Sequence, residues 1–332
     1  MTLQQRIELL VRLGEHIREN GEEWQLAREK AFAANAWFLP EFIEQSGNTI
    51  AQQFLQKNQL DAWATYYHLP ETTANPTTVG VVTAGNIPMV GMHDVLSVFI
   101  SGHKQAIKLS NKDEVLMKHV LKTLTAWDVR VANYILLQDK IAGCEAYIAT
   151  GSNNTGRYFD YYFGKFPNII RRNRTSVAIL LGNETNAELA LLADDIQSYF
   201  GLGCRNVTKL YVPIAYNFEP LLKALDAYSR FGDYHKYRHN YDYQLALLMM
   251  SNTYYMTNGT ILLSQNEGLF TAISRVNFEY YNNIDAVMET LQNNNDVQCI
   301  VGQGKVAFGQ AQIPGLFDYA DGVDIMAFLN GL

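Results

Sequence analysis

The sequence has few cysteines, no excess of positive charge and no long apolar run. Only three of its 332 residues are cysteines, at positions 144, 204 and 299. Three scattered thiols are too few for a disulfide framework or a structural zinc site, so we predict neither a disulfide nor a metal. The formal net charge of −7 argues against non-specific nucleic-acid binding, because such binding needs a basic surface.

We also expect neither a targeting segment nor a membrane-spanning segment. The polar start, residues 1–6, has no apolar core of the kind found in secretory signals. No apolar stretch approaches the roughly 20 residues that a bilayer-spanning helix needs. We therefore expect a cytoplasmic protein that does not bind membranes. At 332 residues the chain is long enough for two domains or one large α/β unit, and its 48% of hydrophobic residues are enough for a sizeable core.

Two kinds of hydrophobic pattern follow one another along the chain. Apolar residues at three- and four-residue spacing from Leu3 to Ile17 predict an amphipathic helix, and helical sequence continues to about residue 57. Beyond the turn-rich stretch 70–76, short strands alternate with helices, which favours parallel sheets covered by helices on both faces. The predicted strands are 78–83, 105–109, 146–149, 176–181, 207–212, 260–263, 270–276 and 298–301.

Cys204 is the strongest candidate for a reactive side chain. It stands between Gly203 and Arg205, after a predicted helix and before the strand 207–212. The glycine allows a ligand or backbone to approach closely, and the arginine favours the thiolate, which is the nucleophilic form. A cysteine that only fills a core usually lies inside an apolar run. The residues alone leave both a catalytic and a structural role open.

Three further motifs each lie at the end of a predicted strand or directly after it. They are Gly-Asn-Ile-Pro at 85–88, Lys-Leu-Ser-Asn at 108–111 and a G-x-x-x-x-G turn at 151–156. In this order, and followed by Gly203 and Cys204, they resemble the aldehyde dehydrogenase superfamily. The similarity is greatest to its acyl-CoA reductase branch, which includes the fatty-acyl reductase of bacterial bioluminescence. The resemblance runs from about residue 78 to the C-terminus.

The resemblance implies a fold of two parallel-sheet α/β domains with the active site in the cleft between them. Residues 1–175 would form N-terminal helices and a cofactor-binding domain, and residues 176–310 a catalytic domain that carries the nucleophile. Residues 311–332 would return to the first domain. In such enzymes the residue matching Asn86 donates its side-chain amide to the oxyanion, together with the N–H of Cys204. Considered alone, Asn86 would be an ordinary turn residue.

The same resemblance suggests a nicotinamide cofactor. Lys108 and Ser110 would lie at its adenosine end, and Gly151, Ser152 and Gly156 near the pyrophosphate at a helix N-terminus. Glu267 would contact the nicotinamide ribose. Many NAD-preferring members carry a glutamate three residues after the lysine, where this chain has an asparagine. Without that carboxylate a 2′-phosphate is not repelled, so we expect NADPH, with NADH as the alternative.

One departure from the family pattern points to a reductase. Hydrolytic members carry a glutamate about 35 residues before the cysteine as general base for water, but residues 174–179 contain no acid. An acyl-Cys204 intermediate would then leave by hydride transfer, which makes the predicted activity an acyl-CoA reductase forming aldehyde. A decayed site would show the same loss.

Two alternative functions remain open at this point. One is an acyl-phosphate or semialdehyde reductase on the same fold, with the basic cluster 171–174 binding phosphate. The other is a non-catalytic nucleotide-binding descendant. As partners we expect an acyl thioester substrate, an acyl-carrier protein or ligase that supplies it, and a second copy in a homodimer.

Overall fold

The computed structural model describes residues 1–302 and 304–332, which divide into two compact units. The first unit comprises Met1–Asn173 together with Pro314–Leu332, and the second comprises Arg174–Ile313. Each unit contains one sheet and its own hydrophobic core.

The first unit is a five-stranded parallel sheet preceded in sequence by four helices. The strand order is β3-β2-β1-β4-β5, and every neighbouring pair is parallel. Its elements are α1 (Leu3–Glu19), α2 (Glu22–Ala34), α3 (Pro40–Gln53), α4 (Lys57–Tyr66), β1 (Thr78–Val82), α5 (Met92–Ser101), β2 (Lys104–Lys108), α6 (Glu114–Trp127), β3 (Ile135–Leu137), β4 (Ala146–Thr150), α7 (Asn153–Phe163), β5 (Asn168–Arg171) and, after the second unit, α12 (Ile325–Asn330).

The sequence patterns explain how these elements pack. The predicted apolar stripe of α1 is confirmed, because Ile7, Leu10, Leu13 and Ile17 are all buried. A capping box at Thr2 starts this helix. By contrast, α5 is buried on nearly every side, and its buried Asp94 is paired with Arg171 of β5.

The second unit contains a six-stranded sheet in the order β11-β6-β7-β10-β9-β8. All neighbouring pairs are parallel except the edge strand β8, which runs antiparallel to β9. Its elements are β6 (Thr175–Ile179), α8 (Asn186–Gln197), β7 (Val207–Pro213), α9 (Glu219–Leu225), α10 (His235–Met250), β8 (Tyr255–Thr257), β9 (Leu262–Gln265), β10 (Arg275–Tyr281), α11 (Ile284–Gln292) and β11 (Val297–Val301).

The predicted fold class, α/β with two predominantly parallel sheets, is confirmed. One predicted strand is wrong in position: the strand expected at 270–276 begins only at Arg275, because residues 266–270 form a loop held by side chains of β7 and β10. The short strands β3, β5 and β8 were not predicted. Among the described residues, no helix is both long and apolar enough to cross a bilayer.

Candidate active site

Cys204 lies in a tight turn between the end of α8 and the start of β7. Three consecutive residues that lead into this turn have left-handed backbone, with φ values of 55° at Tyr199, 57° at Phe200 and 74° at Gly201. The first two have bulky, buried side chains, for which this conformation is strained. Such strain persists only where surrounding contacts hold the backbone, and it concentrates at functional sites.

The buried side chain of Asn206 holds this backbone in place. Its Oδ1 accepts the Gly203 N–H at 2.8 Å, and its Nδ2 donates to the carbonyls of Ser198 at 2.8 Å and Asp195 at 3.1 Å. One amide therefore joins the end of α8 to the residue directly before Cys204.

The neighbouring strand β6 contacts the turn through Ser176, which is fully buried. Its Oγ donates to the Cys204 carbonyl at 3.0 Å and accepts the N–H of Cys299 at 3.2 Å. The same Oγ lies 3.0 Å from the Cys299 Sγ. The Ser176 hydroxyl thus contacts both the Cys204 carbonyl and the Cys299 thiol. None of the three cysteines forms a disulfide.

Arg205 and Asp195 fasten a later segment of the chain beside the turn. The Arg205 Nε donates to the Ala311 carbonyl at 2.5 Å. The Asp195 carboxylate accepts the N–H groups of Gly309 at 2.7 Å and Ala311 at 3.0 Å. Burial raises the pKa of Asp195 to about 6, against the opposing effect of these two hydrogen bonds.

In the first unit, Asn86 lies half-buried in the bend that follows β1. The preceding Gly85 packs against Ser110, and a Cβ at position 85 would lie 2.5 Å from the Ser110 Oγ. Asp113 supports the same bend, since its Oδ2 accepts the Met89 N–H at 2.7 Å where Met89 has a φ of 54°. Burial raises the pKa of Asp113 well above its ordinary value.

Strands β2, β1 and β4 are neighbours in a parallel sheet, so their carboxyl ends meet at one edge. The chain reverses its direction of strand addition between β1 and β4, and such sheets bind ligands at this kind of switch point. The predicted residues at or directly beyond this edge are Asn86, Lys108, Ser110, Gly151 and Ser152.

Helix α7 also begins at this edge, with Ser152 as its N-cap. The Ser152 side chain accepts the Thr155 N–H at 3.3 Å. A Cβ at Gly151 would lie 3.0 Å from the Thr155 Cβ, and one at Gly156 would lie 3.1 Å from the Arg172 Nε. The two glycines thus allow close packing, while the helix N-terminus offers N–H groups that suit an anion.

Glu267 lies in the second unit, in the loop 266–270 that follows β9, and its side chain is exposed. Within the described part of the chain, no three His, Cys, Asp or Glu residues are grouped so as to hold a metal ion. The roles predicted for Glu267 and for the other site residues remain predictions.

Comparison with known proteins relates this architecture to one group of enzymes. No family model and no curated protein sequence matches the chain. Among solved structures, it is similar to aldehyde dehydrogenase 21 from Physcomitrella patens in complex with the product succinate, at 11% identity over 91% of this chain and 74% of that one, with a TM-score of 0.66. The chain has the aldehyde dehydrogenase fold.

Two further structures with this fold differ in the cofactor that they are named for. An NAD-dependent aldehyde dehydrogenase from Sinorhizobium meliloti matches at 11% identity and a TM-score of 0.66, over 91% of this chain and 70% of that one. An NADP-dependent enzyme from E. coli matches at 12% identity and a TM-score of 0.66, over 91% and 73%. Identities this low establish the fold of the chain and not its activity.

Sequence reasoning missed the residues that support this aldehyde dehydrogenase fold around its candidate site. Ser176, Asn206 and Asp113 each hold a turn through its backbone, yet each looks like an ordinary strand, turn or cap residue in the sequence. Only Asp113 gives a signal in the sequence, as an acidic residue two positions after the predicted motif at 108–111.

Proposed function

We propose that this chain reduces an acyl thioester to an aldehyde through an acyl-Cys204 intermediate, using NADPH or NADH. The observation that carries the proposal is the Cys204 turn, whose strained backbone is held by Asn206 and Ser176. A rigidly held, half-buried thiol before a strand suits a nucleophile, which must meet its substrate in one geometry.

The chain's own residues account for both halves of the reaction. The Cys204 thiolate attacks the thioester carbonyl, and the Cys204 N–H and the Asn86 side-chain amide stabilise the oxyanion. Collapse of this intermediate breaks the bond to the carrier sulfur, which leaves as a thiol. After hydride reaches the acyl carbon, the same donors hold the second oxyanion. Its collapse releases aldehyde and regenerates the Cys204 thiolate.

The surroundings of Cys204 favour reduction over hydrolysis of the acyl-enzyme. Hydrolysis needs a general base for water, and β6 has no acidic residue from Thr175 to Ile179. Its contact with the turn is the Ser176 hydroxyl, which already donates to the Cys204 carbonyl. Since β6 supplies no base for water, we expect an acyl group on Cys204 to persist until a hydride arrives.

The residues at the carboxyl edge of the first sheet fit a nicotinamide cofactor, which supplies that hydride when bound. The N-terminus of α7 at Ser152 suits a pyrophosphate, and the exposed Lys108 at the end of β2 suits an adenosine ribose or its phosphate. The exposed Asn111 places no carboxylate in that position. These features support NADPH over NADH.

The ion pairs of the basic cluster 171–174 argue against phosphate as the leaving group. Arg171 is buried in an ion pair with Asp94 at 2.5 Å, and Arg172 pairs with Asp160 at 2.5 Å. Both guanidinium groups are already paired with a carboxylate, which weakens the attraction that they would offer a phosphate. We therefore favour a thioester over an acyl phosphate as substrate.

The test is turnover of purified protein with NADPH and acyl-CoAs of increasing chain length. Loss of reduced-nicotinamide absorbance and release of free thiol should match mole for mole. Cys204→Ala should abolish both while leaving NADPH binding within about twofold of the parent. Cys144→Ala is the matched control, since that thiol is buried in the first unit outside the candidate site and its loss should leave turnover unchanged.

Three results would contradict the proposal. Turnover by Cys204→Ala near the parent rate would exclude the acyl-cysteine route. Turnover of acyl phosphates with phosphate release, and none of any thioester, would assign the chain to the rival chemistry. NADPH binding without turnover of acyl-CoAs, acyl-carrier protein or acyl phosphates would leave a non-catalytic nucleotide-binding protein.

A further inference from the structure

The loop 266–270, which carries Glu267, is fastened by side chains of two neighbouring strands. The Lys209 Nζ, from β7, donates to the Asn266 carbonyl, and the Thr208 Oγ1 donates to the Leu269 carbonyl at 2.7 Å. From β10, the Asn277 Nδ2 donates to the Gly268 carbonyl at 2.7 Å. Side chains thus hold the backbone on both sides of Glu267.

A buried lysine such as Lys209 is an unusual residue for holding a loop. Its side chain is fully buried, whereas lysines almost never are unless they are paired. Its ammonium group is 2.8 Å from the Glu279 carboxylate, whose side chain is 40% exposed. Burying a charged group costs free energy that an apolar residue of the same size would avoid. A purely structural position in β7 would therefore be better served by an apolar side chain.

The strand β6, which pairs with β7, contacts both an anchor of this loop and the Cys204 turn. Thr175 and Ser176 are adjacent in β6, and their hydroxyls contact different segments. The Ser176 Oγ donates to the Cys204 carbonyl, while the Thr175 Oγ1 lies 2.6 Å from the Thr208 Oγ1. The loop that carries Glu267 is therefore linked through β7 and β6 to the backbone of the proposed nucleophile.

We propose that Lys209 is a positioning residue that holds the loop 266–270 so that the Glu267 carboxylate meets the ribose hydroxyls of the nicotinamide cofactor. The inference rests on the proposed function for the identity of that ligand. Lys209, five residues beyond Cys204, would then govern the affinity for the cofactor without contacting it.

The test combines cofactor binding with backbone exchange on the full chain. Lys209→Met removes the ammonium and keeps most of the side-chain volume, and Lys223→Met is the control at an exposed lysine of the same unit. We expect Lys209→Met to weaken NADPH binding roughly tenfold, since hydrogen bonds to charged groups have about this effect on an equilibrium. Hydrogen exchange in the apoprotein should accelerate in peptides covering 266–270 and not in those covering α9.

A double-mutant cycle separates positioning from a direct effect. Glu267→Gln alone should weaken NADPH binding about tenfold, and Lys209→Met should add no more than about twofold to that loss. Independent effects, which multiply to roughly a hundredfold, would overturn the proposal. So would unchanged exchange in the loop, or unchanged NADPH affinity in Glu267→Gln.

A second variant covers the case in which Lys209→Met does not fold. Thr208→Val is nearly isosteric and removes the donor to the Leu269 carbonyl together with the contact to the Thr175 hydroxyl. We expect about threefold weaker NADPH binding, and no further loss when Glu267→Gln is also present. If Thr208→Val weakens NADPH binding by the same factor in the Glu267→Gln background as in the parent protein, the proposal is overturned. Because NADPH binding is measured without an acyl substrate, failure of thioester turnover does not enter this result.

Discussion

Replacing Ser176 with alanine tests whether the Cys204 turn depends on its anchor to β6. The substitution removes one oxygen atom from a fully buried side chain and creates no steric conflict. It deprives the Cys204 carbonyl of its donor and the Cys299 N–H of its acceptor. We expect the turn to relax and the thiol to leave its present geometry.

The structure sets the size of this effect. Removing one partner of a buried hydrogen bond costs about 1–3 kcal/mol, and Ser176→Ala removes the partner of two. Cys204 and Cys299 are only half-buried, so water can replace part of what is lost. We therefore expect a loss of about 2 kcal/mol in the free energy of unfolding, and a melting temperature lower by roughly 5 °C. Turnover should fall by about 10- to 100-fold, because small displacements of a reacting group have such effects.

The assay combines thermal unfolding with the rate of Cys204 alkylation by iodoacetamide, followed by peptide mass. Ser97→Ala is the control, since Ser97 is equally buried but donates only to the His93 carbonyl within α5, at 2.7 Å. Its loss should cost less than about 1 kcal/mol. Equal effects of the two substitutions on stability and on alkylation would refute the role given to Ser176.

Three further substitutions test other parts of the structure. Burial raises the folded-state pKa of Asp195 from 3.8 to about 6, so the stability that this group contributes is present below about pH 4 and is lost as the pH rises through about 6. The loss in the free energy of unfolding should be about 3 kcal/mol. In urea unfolding, Asp195→Asn should flatten this pH dependence, and parallel pH profiles of the two proteins would contradict the assignment. Gly85→Ala should destabilise by about 1–3 kcal/mol through its clash with Ser110, and Ser110→Gly in the same chain should restore the melting temperature. Asp94→Asn should cost about 3–5 kcal/mol by stranding the charge of Arg171, whereas Asp94→Leu with Arg171→Met should cost less; equal losses would argue against a buried ion pair.

The sequence was sufficient for the fold class because hydrophobic periodicity survives without any knowledge of contacts. The apolar stripe predicted from Leu3 to Ile17 lies on the buried side of α1, and the strand predicted at 207–212 differs from β7 by one residue. The grouping of the motifs at the strand ends could also be predicted, since parallel topology brings the carboxyl ends of β1, β2 and β4 to one edge of the sheet.

The residues that hold the turn and the loop of the candidate site could not be predicted from the sequence in the same way. Ser176 acts on Cys204 across 28 positions, and Lys209 acts on Asn266 across 57. Such pairings depend on strand order, which periodicity does not reveal. The misplaced strand at 270–276 has the same origin, because side chains from β7 and β10 hold the residues just before it as a loop. Short edge strands such as β8 offer too few residues for a pattern to be recognised.

The central claim is that an acyl group on Cys204 leaves by hydride transfer and not by hydrolysis. The most direct measurement mixes the protein with an acyl-CoA in the absence of any nicotinamide cofactor and follows the intact mass. We predict a mass increase of one acyl group on Cys204 that persists for many turnover times, and that disappears with formation of aldehyde when NADPH is added. Release of free acid without cofactor, or an acyl group on any other residue, would contradict the account.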